Sequence, residues 1–232
     1  ILSDKIQTPI SIAIIADIQT DSPGRFEENA LRRVMNEKPD LILFPGDYIQ
    51  QYELNSYQTA QNELNSIFKK VGLNAPLGVY TVQGNVDKDD IWKNLFVGLP
   101  VTPIEPSFSF DLGPVFLTGL SLYDSFDGSL SLEKHSKFHI VFGHAPDYSL
   151  GDIPADLLFA GHTHGGQVQL PWIGPLITLS SVPRSWAEGL TKLDSERRLI
   201  VSRGVGMERG SAPRLRFLCP PEIVIVKVDP II

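Results

Sequence analysis

The chain contains 232 residues, of which 42% are hydrophobic and 20% are charged, with 27 acidic residues against 20 lysines and arginines. This balance excludes a disordered chain, and the single cysteine excludes an internal disulfide framework, a thiolate zinc cluster and an iron–sulfur centre. The net charge of −7 argues against a general nucleic-acid binder, so we expect no nucleic-acid partner.

The apolar stretches of the sequence are all far shorter than the roughly 20 residues that a membrane-spanning helix needs. No basic segment followed by an apolar one opens the chain, as a secretory signal would. The chain starts at Ile1 rather than at a methionine, so an upstream anchor or signal could have been removed. We therefore expect a cytoplasmic location, and membrane association is possible through such a removed N-terminal segment.

Five short apolar runs, each ending in a small residue and then a polar one, predict buried strands. They lie at residues 11–17, 41–47, 79–85, 139–144 and 156–162. Between the early runs, apolar residues at three-to-four spacing predict helices over residues 26–35 and 53–70, the first of which stops before Pro39. Alternating strands and helices indicate an α/β fold with parallel strands.

From residue 106 onward the pattern changes to short strands separated by turns. The predicted strands lie at residues 107–112, 115–120, 198–202 and 222–228. We expect these segments to form a second, largely antiparallel sheet. The predicted architecture is two packed mixed β-sheets flanked by helices, in a single domain spanning residues 1–232.

A side chain able to bind a metal stands at the end of each of the five apolar runs. These are Asp17, Asp47, Asn85, His144 and His162, and His164 follows in Gly161-His-Thr-His. Ligands of open α/β sheets bind beyond the carboxyl ends of the strands, so these side chains should share one pocket. A lone aspartate after a strand is usually a turn residue, but six such coincidences favour a site. His135 and His139 fall outside the pattern and are interpreted as structural.

The predicted donors are oxygen and imidazole groups without a thiolate. Such a set suits Mn, Fe, Zn or Mg, and Asp47 could bridge two ions. Two metals roughly 3.5–4 Å apart clamp the attacking and leaving oxygens of an in-line phosphoryl displacement. The donor set is therefore compatible with a pair of divalent metal ions of the kind that act on phosphoryl groups.

Five sequence blocks occur in the order and spacing of one enzyme superfamily. They are Asp17-Ile-Gln19, Gly46-Asp47, Gly84-Asn85-Val86-Asp87, Gly143-His144 and Gly161-His-Thr-His164. Over residues 11–166 the chain resembles the calcineurin-like metallophosphoesterase superfamily. Downstream blocks such as Leu170-Pro171 and Pro213-Arg214 resemble its bacterial YkuE-type branch.

The resemblance implies a two-sheet sandwich flanked by helices and a dinuclear metal site. By the family pattern, one metal would be held by Asp17, Gln19, Asp47 and His164. The other would be held by Asp47, Asn85, His144 and His162. Catalytic roles are implied for Asp47, Asn85 and Asp87, the last of which would brace its loop or orient a ligating histidine.

Two positions depart from the family pattern. Gln19 stands where a histidine ligand is usual, and an amide oxygen coordinates a transition metal more weakly than an imidazole does. Val86 replaces a histidine expected to protonate the leaving alkoxide or to donate to a phosphoryl oxygen. General acid help of that kind is worth ~10²–10⁴-fold in rate, so the valine favours substrates with good leaving groups.

Seven of the ten arginines lie within residues 184–216. Because guanidinium groups bind phosphate oxygens bidentately, the candidate substrate clamps are Arg184, Arg203, Arg209 and Arg214. Arg203 and Arg214 are preferred because they fall in the branch-like blocks, and Gln167 is a further predicted substrate-binding residue. The alternative is a solvated loop offset by nearby carboxylates. The aromatic segment 170–176 and Trp186 are predicted to pack in the core rather than to line an apolar pocket.

The sequence therefore predicts a metal-dependent phosphoesterase that hydrolyses phosphodiester or pyrophosphate bonds. Its expected partner is a phosphorylated small molecule or a lipid-linked phosphate. The alternative is a catalytically weak or silent protein that uses the same fold for binding or as a scaffold. Gln19 and Val86 support that alternative.

Overall fold

Two six-stranded sheets organise the computed structural model, which describes residues 1–210 and 213–231. The α-helices are α1 (Arg25–Asn36), α2 (Leu54–Val71) and α3 (Leu122–Phe126). Short 3₁₀ helices cover Asp89–Phe96, Asp147–Leu150, His164–Gly166 and Arg184–Trp186. The strands are β1 (Leu2–Ser3), β2 (Ile10–Ile14), β3 (Leu41–Phe44), β4 (Val79–Thr81), β5 (Thr102–Pro103), β6 (Phe108–Asp111), β7 (Val115–Gly119), β8 (Phe138–Phe142), β9 (Leu157–Ala160), β10 (Gln169–Leu170), β11 (Gly174–Pro175), β12 (Gly189–Lys192), β13 (Arg198–Val201) and β14 (Val224–Pro230).

The two long helices confirm the helical segments expected from the sequence, and both carry recognisable caps. At the start of α1, Glu27 accepts a hydrogen bond from the backbone N–H of Gly24 at 2.8 Å. At the start of α2, Glu53 accepts one from the N–H of Ser56 at 2.7 Å. α2 ends at Gly72, whose φ of 68° lies in the left-handed region. In the described part of the chain, no helix has both the length and the apolar character needed to cross a membrane.

The first sheet has the strand order β1-β14-β2-β3-β4-β5. Strands β2 to β5 run parallel, as the alternation of strands and helices predicted, with Ile12 opposite Leu41 and Ile42 opposite Val79. β14 pairs antiparallel with β2. The expectation that residues 222–228 belong to the second sheet is therefore wrong, because this last strand returns to the first one.

The second sheet has the order β12-β13-β9-β8-β7-β6. Its four inner strands, β7, β8, β9 and β13, run parallel to one another. Antiparallel pairing is confined to the two edge hairpins, β6 with β7 and β12 with β13. The expectation of a largely antiparallel sheet is therefore wrong. The connections from β7 to β8 and from β8 to β9 cross over one face, which parallel neighbours require.

An apolar layer joins the two sheets. It contains Ile12, Ile14, Leu41 and Leu43 of the first sheet and Ile140, Phe142, Leu157 and Phe159 of the second. The outer face of the first sheet is covered by α1 and α2, through residues such as Leu31 and Phe68. The predicted architecture of two packed mixed sheets flanked by helices is thus confirmed. Both sheets bring the carboxyl ends of their parallel strands to one shared edge, where His144 after β8 contacts Pro45 after β3 at 2.8 Å.

Of the two histidines interpreted as structural, His139 lies in β8 and His135 lies in the loop before it, at the end of the strand away from that edge. His139 is buried near the start of β8, with its Nε2 2.8 Å from Thr118 Oγ1. The ring of His135 stacks on Phe116 with the ring centroids 3.8 Å apart. Both side chains therefore serve packing in the second sheet.

Candidate metal centre and active site

The predicted ligands gather where the parallel strands of the two sheets end. Asp17, Asp47 and Asn85 follow β2, β3 and β4, whereas His144 and His162 follow β8 and β9. The backbone is strained at this edge, since positive φ angles occur at Asp17, Gln19, Asp47, His162, His164 and Gln167. Each such residue costs of order 1–3 kcal/mol, and such strain clusters at functional sites.

Two glycines allow the carboxylates to approach the backbone of neighbouring loops. A Cβ atom on Gly84 would collide with the side chain of Asp47. A Cβ atom on Gly161 would lie 2.5 Å from Asp17 Oδ2. These glycines leave room for the aspartates of the first sheet.

A first group of donor atoms surrounds the amide oxygen of Asn85. Asn85 Oδ1 lies 2.7 Å from His144 Nε2 and 2.9 Å from His162 Nδ1, and these two ring nitrogens are 3.2 Å apart. Asp47 Oδ2 lies 3.5 Å from His144 Nε2. Asp17, Asp47 and His144 each offer a ligand atom within 4.8 Å of the others.

Hydrogen bonds to carbonyl groups fix the tautomers of both histidines in this group. His144 Nδ1 lies 2.8 Å from the carbonyl oxygen of Pro45, and His162 Nε2 lies 3.0 Å from that of Leu179. A carbonyl only accepts, so these nitrogens carry the protons and leave lone pairs on His144 Nε2 and His162 Nδ1. These two nitrogen lone pairs and the lone pairs of Asn85 Oδ1 repel one another. A cation bound between the three atoms would remove that repulsion, because each atom could then act as a ligand.

A second group of donors consists of buried atoms that have no hydrogen-bond partner among the described residues. They are Asp17 Oδ2, Gln19 Oε1 and His164 Nε2. Gln19 presents this oxygen because its amide nitrogen donates to Glu208 Oε2 at 2.8 Å and to Gln50 Oε1 at 3.1 Å. Buried polar atoms normally have partners, so these three orphaned acceptors fit a bound cation.

The electrostatics of the cluster favour the same conclusion. Burial, followed by repulsion from Asp47, raises the pKa of Asp17 well above its usual value. Burial also raises the pKa of Asp47 to about 7 and lowers the pKa of His144 to about 4. Neutral imidazoles are ready ligands, and a bound cation would relieve the cost of burying the two carboxylates together.

Asp87 supports the loops rather than the ligand atoms themselves. Its Oδ2 accepts hydrogen bonds from the N–H groups of Asp47 at 2.9 Å and Gly84 at 2.8 Å, and its Oδ1 accepts one from Tyr48 at 2.8 Å. Of the two roles expected for Asp87, the bracing of the loop is the one the structure shows. The orientation of His144 falls to the carbonyl group of Pro45. These contacts give Asp87 a positioning role, and a catalytic role for it stays a prediction.

The preferred substrate clamps are engaged elsewhere. Arg203 donates to Glu222 Oε2 at 2.6 Å, and Arg214 donates to Asp21 Oδ2 at 3.1 Å. Neither arginine lines the cavity beside the ligands. Gln167 does line it, but its side chain bonds backbone groups, including the carbonyl oxygen of Pro213 at 2.7 Å.

Arg184 and Arg209 were weaker candidates for the same role. Arg184 is exposed in the 3₁₀ helix Arg184–Trp186. Arg209 donates to the carbonyl oxygen of Gln19 and to Asp21, both at 2.8 Å. Neither side chain lines the cavity beside the ligands. Substrate binding by the arginines remains a prediction.

Two residues of the site escaped the sequence analysis. Glu208 lines the cavity and holds the amide group of Gln19. Arg216 lies behind His164, with Nη2 3.2 Å from the ring Nδ1 and 2.6 Å from the carbonyl oxygen of Arg203. Burial, followed by the charge of Arg216, lowers the pKa of His164 well below its usual value. Their only sequence signal was membership of the charged segment 184–216, which does not distinguish them from their neighbours.

The cavity at the ligands has a volume of about 440 Å³. Its polar lining includes Asp47, Asn85, His162, His164 and Glu208, and its apolar lining includes Val168, Leu176, Ile177, Leu179 and Pro213. The expectation that segment 170–176 packs in the core is therefore wrong, because Leu176 faces the cavity and Trp172 is exposed. Trp186, by contrast, packs against the core of the second sheet.

Comparison with known proteins agrees with this geometry. The family model of the calcineurin-like phosphoesterases matches residues 10–166. The chain belongs to this family. Over 206 residues it is 34% identical to the uncharacterized metallophosphoesterase YkuE of Bacillus subtilis, a match that covers 83% of this chain and 68% of that protein. The resemblance drawn from the five sequence blocks is confirmed.

Two further relatives of this phosphoesterase carry names that state an activity. This chain is 28% identical over 283 residues to the UDP-2,3-diacylglucosamine pyrophosphatase LpxG of Chlamydia muridarum, and the match covers 94% of this chain and 83% of that protein. It is 27% identical over 235 residues to the phosphodiesterase YaeI of Escherichia coli, with 95% and 82% covered. The chain is thus a metallophosphoesterase, an enzyme of the hydrolase class, with a buried aspartate and histidine cluster that can bind metal.

Proposed function

We propose that this metallophosphoesterase hydrolyses a phosphodiester or pyrophosphate bond at a centre of two divalent metal ions. One observation carries the proposal: lone-pair atoms that no hydrogen-bond donor faces gather where Asp17, Asp47 and His144 each offer a ligand atom within 4.8 Å of the others. The first metal would be held by Asp17, Gln19, Asp47 and His164, and the second by Asp47, Asn85, His144 and His162. When bound, such ions supply Lewis acidity to phosphoryl oxygens and lower the pKa of water.

The residues of the chain bind and orient rather than transfer protons to the leaving group. Val86 contributes its backbone N–H, which donates to Asp47 Oδ1 at 3.0 Å and fixes that carboxylate. Its side chain has no proton to give. A pyrophosphate or an activated phosphodiester releases an oxygen of low pKa that leaves without protonation, whereas an alkyl monoester does not. The pyrophosphatase and phosphodiesterase names of the relatives support this choice.

The lining of the cavity favours a substrate with an apolar part. Leu176, Ile177 and Leu179 line it together with the candidate ligands Asp47, Asn85 and His162. A phosphate group could lie at the ligands while a hydrocarbon group contacts these side chains. A lipid-linked or nucleotide-linked phosphate is therefore the substrate class that we propose.

Metal content and hydrolysis of an activated aryl phosphodiester under Mn²⁺ test the proposal together. We expect two metals per chain, and a loss of both metal and turnover in Asp47→Ala. Asp111→Asn, a change at an exposed carboxylate on β6, is the control and should keep both. Fewer than one metal per chain with no turnover would support the alternative, a binding or scaffold protein. Turnover that Asp47→Ala leaves unchanged would contradict the site itself.

A further inference from the structure

An exposed apolar surface borders the mouth of the cavity. We call it the apolar rim and define it as Trp172, Ile173, Leu176, Ile177, Leu179, Leu215, Phe217 and Leu218, each a large hydrophobic side chain that is exposed. Trp172 is the extreme member, with a relative exposure of 103%. Soluble proteins rarely expose contiguous apolar patches of this kind unless the patch binds something.

Hydrogen bonds make the apolar rim one continuous structure. Strands β10 and β11 form a hairpin in which Leu170 lies opposite Gly174, so Trp172 stands at the tip. The second segment of the rim pairs with the start of this hairpin. The backbone N–H of Gln169 donates to Phe217 at 2.9 Å, and the N–H of Phe217 donates to Gln167 at 3.0 Å. The two parts of the surface are therefore held together.

Three residues of the rim combine an unfavourable backbone conformation with an exposed apolar side chain. Trp172, Leu179 and Leu218 have φ angles of 64°, 53° and 52°, in the left-handed region that large side chains rarely adopt. Such a conformation costs of order 1–3 kcal/mol per residue. Burial of the side chains does not offset this cost, because the same three apolar side chains are exposed to water.

The charge around the rim differs from that of the whole protein. Residues 165–187 and 213–221 contain three arginines, Arg184, Arg214 and Arg216, and no aspartate or glutamate, although the chain as a whole carries −7. Arg184 and Arg214 are exposed, the latter also pairing with Asp21 at 3.1 Å. Exposed cations in the segments that carry the rim complement an anionic lipid surface, where aromatic side chains settle at the headgroup level.

We propose that the apolar rim docks the protein on an anionic lipid bilayer, with the hairpin tip inserted and the mouth of the cavity at the membrane surface. A single acyl chain could fill the concave part lined by Leu176, Ile177 and Leu179, but Trp172 and Ile173 project outside it. This docking does not depend on the reaction proposed above. It would bring the site to lipid-linked phosphates that stay in the bilayer.

Binding to vesicles of phosphatidylcholine with and without phosphatidylglycerol tests the docking. We expect the wild-type protein to sediment with the anionic vesicles and Trp172→Ser/Ile173→Ser to bind about tenfold more weakly or not at all. The control is Val97→Ser/Phe108→Ser, which removes two exposed apolar side chains outside the rim and should bind like the wild type. Equal binding of the rim variant and the wild type would overturn the proposal.

Tryptophan fluorescence reports which residue enters the bilayer. The chain has three tryptophans, and Trp92 is fully buried. In a Trp186→Phe background, the emission of Trp172 should shift to the blue with anionic vesicles and be quenched by lipids brominated on their acyl chains. Binding without shift or quenching would contradict insertion of the hairpin tip.

Two further measurements separate this proposal from its rivals. Concentration-dependent dimerisation that the rim variant abolishes, without vesicle binding, would assign the surface to a second copy of the chain instead. Hydrolysis of a soluble aryl phosphodiester should be unchanged in the rim variant, because Trp172 and Ile173 do not line the cavity. Vesicle binding without hydrolysis would refute only the proposed function, and hydrolysis without vesicle binding would refute only the docking.

Discussion

Replacing Asp87 by alanine distinguishes a residue that braces the ligand loops from one that takes part in chemistry. The carboxylate accepts three backbone hydrogen bonds, from Asp47, Tyr48 and Gly84, at 2.8–2.9 Å. Asp87→Ala would leave these three buried N–H groups without a partner. Each such group costs ≈ 1–3 kcal/mol, so we expect the free energy of unfolding to fall by about 3–9 kcal/mol.

The structure predicts an ordered series of variants. Asp87→Asn keeps one carbonyl oxygen that can still accept, so its loss of stability should be about half that of Asp87→Ala. Asn85→Ala is the matched control, because the Asn85 side chain is exposed and directed at the histidine nitrogens rather than at the backbone. It should lose metal affinity while the chelated protein keeps the stability of the wild type.

Urea denaturation of chelated and manganese-loaded protein measures both effects. Because the bracing bonds are made by the chain alone, Asp87→Ala should be destabilised to a similar extent with and without metal. Asn85→Ala should differ from the wild type only when metal is present. If Asp87→Ala unfolds like the wild type after chelation and yet fails to turn over substrate, the bracing role is wrong and Asp87 acts in catalysis.

Three further predictions concern single side chains. Gln19→His should bind Zn²⁺ about tenfold more tightly, since imidazole exceeds an amide oxygen as a ligand for that ion; unchanged affinity in a chelator competition would remove Gln19 from the metal site. Val86→His should raise hydrolysis of an alkyl phosphate monoester by about 10²-fold if the missing proton donor limits it, and an unchanged rate would refute the leaving-group argument. Burial lowers the pKa of His139 from 6.5 to about 4, so the unfolded state takes up the proton first as the pH falls. The wild type should therefore lose about 2 kcal/mol of stability between about pH 6.5 and 4 that His139→Gln keeps, and parallel pH profiles would contradict this.

The sequence predicts well where the candidate ligands lie, because the signal for their position is local. An apolar run followed by a small residue and a polar one defines both a buried strand and the side chain at its end. Asp47 and His162 each follow their strand within three residues. Nothing long-range is needed to place such a residue at the carboxyl edge of a parallel sheet.

The sequence fails where a partner far along the chain decides the outcome. Arg203 looked like a phosphate clamp, but its charge is taken by Glu222, 19 residues away, while Arg216 lies against His164, 52 residues away. The direction of the second sheet failed for a related reason. A strand next to an edge hairpin shows the same alternation of apolar and polar residues whether its other neighbour runs parallel or antiparallel. Only the crossover connections between the strands decide the direction of that neighbour.

A contact with a residue far along the chain also explains how Gln19 can stand in place of the usual histidine. Glu208 lies 189 residues further along the chain, and with Gln50 it accepts both hydrogen bonds of the Gln19 amide nitrogen. Two acceptors on the nitrogen leave the amide oxygen as the atom that points away from them. The side chain is thus oriented by the protein itself, before any metal binds. The departure from the family pattern therefore places a harder oxygen atom, oriented by the chain, where a nitrogen ligand is usual. In the proposed two-metal centre, this oxygen would favour Mn²⁺ or Mg²⁺ over Zn²⁺ at the first metal position.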